Sequence, residues 1–157
     1  MMIDYLYKDT ITLFNRYEVD GSYCWFPHVL ENVHWWGSDG ASVSTYGDRA
    51  TDNVSVNIRY GNSSDEPIID RLIYVSPKKF RRIDYENAAD YITFAYGDAF
   101  DFFIVGKYEA DDEVISDDEY ASSGGFFNYM NHENDEVYAI TSCSKSRFLP
   151  HFTITGR

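Results

Sequence analysis

The segment DNVSVNIRY, residues 52–60, restricts the fold more than any other stretch. Val54, Val56, Ile58 and Tyr60 fall on one side of an extended chain, and Asn53, Ser55, Asn57 and Arg59 on the other. That is the two-residue period of a half-buried β-strand. The same bias runs through the chain. Fourteen Tyr and eleven Phe, with many Val, Ile and Thr, suit a pleated, partly buried surface better than a helix.

Turn chemistry divides these runs. In TLFNRYEVDGSYCWF, Asp20-Gly21 separates two strand-like stretches and can supply the positive φ of a two-residue type I′ turn, so a hairpin is predicted there. Further strands are expected at 68–76, 91–96, 100–108, 136–144 and 151–155, each bounded by Gly, Pro, Asn or Asp. At least seven short strands in 157 residues point to a mainly β fold, a small antiparallel β-barrel or sandwich with long loops. At most one short helix is expected, beginning at Pro77 in PKKFRRIDYENAADY. Residues 1–157 read as a single domain, with partner-facing loops at about 37–52 and 109–135.

Charge and cysteine content narrow the function. Thirteen Lys and Arg stand against 26 Asp and Glu, a net charge of −13, which repels phosphate backbones and argues against sequence-specific nucleic acid binding. Two cysteines, Cys24 and Cys143, do not define a disulfide framework and read as free thiols. The opening MMIDYLYKDTITLFNRY has neither a basic n-region nor a cleavage site, and no apolar run reaches the roughly 20 residues of a membrane span. A soluble protein made in the cytoplasm, with no membrane association, is expected.

The candidate chemistry is sparse. YITFAYGDAFDFFIVGKY, residues 91–108, is interrupted at Gly97-Asp98 and Asp101; Gly97-Asp98 reads as a tight turn, and Asp101 stands without a motif around it. The acidic run Glu109, Asp111, Asp112, Glu113, Asp117, Asp118 and Glu119 lacks the Gly and Glu positions of an EF-hand loop and reads as a solvated or partner-facing cluster. Cys24, His28, Cys143 and His151 allow a zinc site or a Cys-His pair to be drawn, with spacing too loose for structural zinc and no signature around either thiol. His34-Trp35-Trp36, with Trp25, could form an aromatic platform for a glycan or peptide. No catalytic residue, metal ligand or cofactor follows from these patterns, and no enzyme is expected.

Four stretches in order, DTITLFNRY with WFPHVLENVHW, RATDNVSVNIRY, YVSPKKF, and YITFAYGDAFDFFIVGKY ending in SKSRFLPHFTITGR, resemble a family of small virion proteins of phages and prophages of Gram-positive bacteria. That resemblance implies a head-tail joining or minor capsid component, a β-barrel acting as a ring subunit. It implies contacts with copies of itself and with neighbouring portal, adaptor or tail proteins, and a place in the virion. It also implies that Gly97-Asp98 and Gly106 belong to a barrel hairpin. The alternative is a soluble β-sandwich binding module for a glycan or peptide.

Overall fold

Alternating residues such as Val54, Val56, Ile58 and Tyr60 need a closed interior to cover them, and the chain supplies one by joining six strands edge to edge. The computed structural model describes residues 6–37, 53–63, 66–109 and 113–157. Its strands are β1 (Asp9–Val19), β2 (Ser22–Gly37), β3 (Val54–Arg59), β4 (Gly61–Ser63), β5 (Glu66–Ile69), β6 (Leu72–Tyr74), β7 (Tyr91–Ile92), β8 (Phe102–Val105), β9 (Ile115–Ser116), β10 (Val137–Ser146) and β11 (His151–Gly156). Hydrogen-bonded pairs run β1–β8–β10–β11–β3–β2 and return from β2 to β1, all antiparallel. The fold is therefore mainly β, with a barrel-like closed sheet that leaves these six strands few free edges.

Two long strands make the closure possible. β2 pairs with β1 over its first twelve residues, Ser22 to Val33, and with β3 over His34–Gly37. β10 pairs with β8 at Val137–Ala139 and with β11 from Ile140 onward. An irregularity marks the bend in β2: Asp9 faces Val33 but Ile11 faces Leu30, and Asn32 takes φ +58°. An extra residue of this kind bends one strand and increases its twist.

The Asp20-Gly21 hairpin forms as expected, with Val19 opposite Ser22 and φ of +50° and +81° at the two turn residues. Val54, Val56, Ile58 and Tyr60 are all buried in the barrel interior with Ile11, Leu13, Phe103, Ile140, Phe152 and Ile154. β1 is covered on its other face as well: Phe14 joins Trp25, Phe102, Ile104, Phe126 and Met130 in an outer layer.

Several boundaries differ from the sequence reading. Residues 68–76 do not form one strand; Asp70 and Arg71 both take positive φ and turn β5 into β6. A short helix α1 (Pro77–Phe80) starts at Pro77, capped by Ser76 Oγ accepting from the Lys79 N–H at 3.3 Å, and it stops after one turn. The expected strand at 91–96 is β7 alone, pairing in parallel with β6 in a four-stranded sheet β4-β5-β6-β7. Gly97 and Asp98 lie in the turn before β8, and Gly106 ends β8.

The segment expected as a long loop at 109–135 is largely ordered secondary structure. After β9 come a 3-10 turn at Asp117–Ser123 and a helix α2 (Phe126–Glu133), so the limit of one short helix is exceeded. Phe126 and Met130, one turn apart, dock α2 on the outer face of β1 and β8, burying an apolar stripe too short to announce a helical period. Of the loop expected at 37–52, Gly37 closes β2 and the remainder lies outside the described residues.

Candidate functional site

A carboxylate inside an apolar run requires partners, because burying it unpaired costs several kcal/mol. Asp98 is exposed in its turn, and its backbone carbonyl accepts from Arg16 Nη2 at 3.5 Å. Asp101, three residues on, is the buried acid, at 1 % exposure. Its Oδ1 accepts from the Arg16 N–H at 2.8 Å, and its Oδ2 accepts from the Ala95 N–H at 2.8 Å and from Asn15 Nδ2 at 3.0 Å. Asn15 also donates to the Thr93 carbonyl at 2.6 Å and accepts from the Thr93 N–H at 3.3 Å. The segment between β7 and β8 lacks a strand partner along β1, and these side chains supply its missing hydrogen bonds.

Burial pushes the Asp101 carboxyl up to about 7, opposed by the N–H groups of Arg16 and Ala95, by Asn15, and by the Arg16 charge. All three donors point at the carboxylate oxygens, so Asp101 acts as a latch between β1 and the 93–95 segment. Beside it opens a cleft of about 470 Å³ with Arg16, Tyr17, Asp20, Tyr23, Arg81 and Thr93 among its walls. Arg16 lies over the Tyr23 ring at 4.4 Å, which fixes one side of the cleft.

The other sequence candidates separate in space. Cys24 packs with Phe26, Val75 and Phe80, whereas Cys143 packs against the barrel interior; both are free thiols, and burial raises each to about 11. His28 is buried, and desolvation lowers it to about 4 against a raising hydrogen bond with the Tyr91 backbone. His151 Nδ1 lies 2.6 Å from the Leu149 carbonyl at the far hairpin. Among the described residues, no three His, Cys, Asp or Glu side chains are grouped to hold a metal ion.

The three tryptophans do not share a platform. Trp25 is buried, and its Nε1–H donates to Asp117 Oδ1 at 3.0 Å. Trp35 packs against the barrel interior. Trp36 is exposed and stacks on His34 with ring centres 5.0 Å apart. Burial of Trp25 and packing of Trp35 thus take two rings out of the expected binding patch.

Asp117 belongs to the acidic run but has a structural post. The oxygen that accepts from Trp25 also accepts from the Phe126 N–H at 2.8 Å, tying β2 to the start of α2. Gly125 makes room for it: φ is +111°, and a Cβ there would lie 3.1 Å from both Asp117 oxygens.

The feature that sequence reasoning missed is the Asp101 latch. Its signal was available, since Asp101 stands directly before the apolar run Phe102–Val105 that must be buried. What the sequence did not disclose was that Asn15, 86 positions away, would face it.

A family model described as "Family of unknown function (DUF6751)" matches residues 6–157, and the chain belongs to that family. No curated protein matches the chain, and no solved structure does. No helix among the described residues is long and apolar enough to cross a membrane.

Proposed function

We propose that this chain is a non-enzymatic structural protein of a phage particle, a head-tail connector or joining component that works as a ring subunit through protein-protein contacts. Its partners on this reading are copies of itself and neighbouring portal, adaptor or tail proteins, and its place is the virion. The observation that supports the reading best is the tip of the β10–β11 hairpin. Phe148 is 83 % exposed and Leu149 is 55 % exposed, and Leu149 is held at φ +49°.

A leucine in the left-handed region costs about 1 kcal/mol, and an exposed phenylalanine returns nothing to its own fold. Seating that ring in a neighbour would contribute roughly 1.5–3 kcal/mol per contact. Contacts between unlike patches of identical chains close into rings when the rotation per subunit closes. With six strands already paired in a circle, such contacts would be made by tips and faces more readily than by strand addition.

The test is to induce the source bacterium, purify phage particles and quantify peptides of this chain against the major capsid protein by mass spectrometry. A few copies per particle, as a ring requires, is the expected result. Intact particles lacking the chain would overturn the reading.

A further inference from the structure

We propose that the excursion between β3 and β8 is the module through which copies of this chain recognise one another: a basic, aromatic-walled cleft on one copy receives the exposed Asp84-Tyr85-Glu86 tip of the next. This inference rests on the ring reading above and names its contact.

The cleft has a volume of about 450 Å³ between α1 and the β10–β11 hairpin. Lys78, Arg81 and Lys145 line it, and among the described residues no carboxylate does. In a chain of net charge −13, three cations around one opening, with no acid among its described lining residues, is a local reversal of the surface. Lys79, beside them in sequence, is already paired with Glu66 at 2.8 Å and faces another partner. The floor is made of rings: Tyr74 lies 4.3 Å from Phe152 and 5.6 Å from Phe94, centre to centre. At the edge stands Tyr96, 55 % exposed. An occupant that fits offers carboxylates for the rim and a ring for the floor.

The chain carries such a segment. Asp84, Tyr85 and Glu86 follow one another in the turn after α1, all exposed, with Tyr85 at 46 %. Tyr85 touches its own fold through tilted contacts with Tyr17 and Phe26, at 6.1 and 5.9 Å, so the tip sits against β1 and β2. The cleft shares α1 with the tip through Lys78 and Arg81, and its other walls include the β10 and β11 residues Lys145 and Phe152. Cleft and tip are thus different sets of residues, so pairing them between copies is head-to-tail, the arrangement that generates rings. The acidic run at 117–119 is the poorer match, because Asp117 is used internally and Tyr120 packs on Phe126 and Tyr129.

Two variants test the pairing: K78E/R81E/K145E, which makes the cleft acidic, and D84K/E86K, which makes the tip basic. All five substituted residues are exposed, although Lys145 lies over the Tyr60 ring at 5.4 Å, and circular dichroism with thermal melting checks that each variant folds. Sedimentation velocity of the natural chain should show an assembly that weakens as salt rises from about 0.05 to about 0.5 M, as screening shortens charge attraction. Each variant alone should lose self-association by about a hundredfold or more, since like charges face each other. Mixed one to one they should assemble again, because every cleft then meets a tip of opposite charge. Persistence of the natural assembly in either variant, or failure of the folded pair to assemble when mixed, overturns the inference and leaves the ring reading standing. A natural chain that stays monomeric at every concentration and is absent from particles removes both.

Discussion

The two long hairpins of the barrel are built alike at the root and differently at the tip. β1 and β2 meet at Asp20-Gly21, a two-residue turn whose positive φ values fall on residues that accept them. β10 and β11 meet at Arg147-Phe148-Leu149-Pro150, where a leucine takes φ +49° and a phenylalanine stands in water. At the root, Asp101 clamps the first hairpin through Asn15 and Arg16, and Phe152 packs the second into the barrel interior. Folding alone accounts for both roots and for the first tip. The second tip places a leucine at a backbone angle that Gly or Asn accepts more readily, and the proposed ring contact rests on that departure.

If that contrast holds, roots and tips respond differently to substitution. The largest loss is expected at the second root: Phe152→Ala removes a ring at 1 % exposure and should cost about 3–5 kcal/mol in a denaturant melt. Next comes Asp101→Asn at the first root, which turns an amide N–H toward backbone donors and should cost about 1–3 kcal/mol. It also carries a pH signature. The folded carboxyl, near 7, lies above its ordinary value, so the folded state holds the proton more tightly. The stabilisation is complete below about pH 4 and is lost as pH rises through 7. The natural chain should therefore melt lower at pH 8 than at pH 5.5, and Asp101→Asn should flatten that slope; an unchanged slope would assign the pH dependence elsewhere.

At the first tip, Gly21→Val forces a β-branched residue to φ +81° and should cost about 1–2 kcal/mol. The second tip should reverse the sign. Leu149→Gly relieves the positive φ and should leave stability unchanged or raise it by up to about 1 kcal/mol, and Phe148→Ser should stay within about 0.5 kcal/mol. Both should nevertheless weaken assembly in sedimentation. Equal losses of stability at both tips would show that Phe148 and Leu149 serve their own fold.

Sequence patterns disclosed the parts of this fold that depend on neighbours along the chain. The alternation at Val54–Tyr60 and the Asp20-Gly21 turn are local statements, and both appear as read. The turn at Asp70-Arg71 was hidden because arginine is an unusual residue for φ +73°, so no Gly or Asn marked it. α2 was hidden because FFNYMNHE is rich in residues that also suit strands, and only Phe126 and Met130 of its one face are buried. The Asp101 latch, the Trp25–Asp117 bond and the basic cleft all join residues more than sixty positions apart. Long-range pairing of that kind is decided by which strands become neighbours, and residue type alone does not carry it.

The circular pairing also sets a timetable for synthesis. β3 finds its second neighbour only in β11, and β1 finds its second only in β8, about ninety positions later. A nascent chain that has reached β8 can form the β1–β2 hairpin and dock β8 on it, yet β3 still shows an open edge. Closure waits for β11 to emerge, so this chain is most exposed to wrong partners in the interval before β11 reaches the barrel.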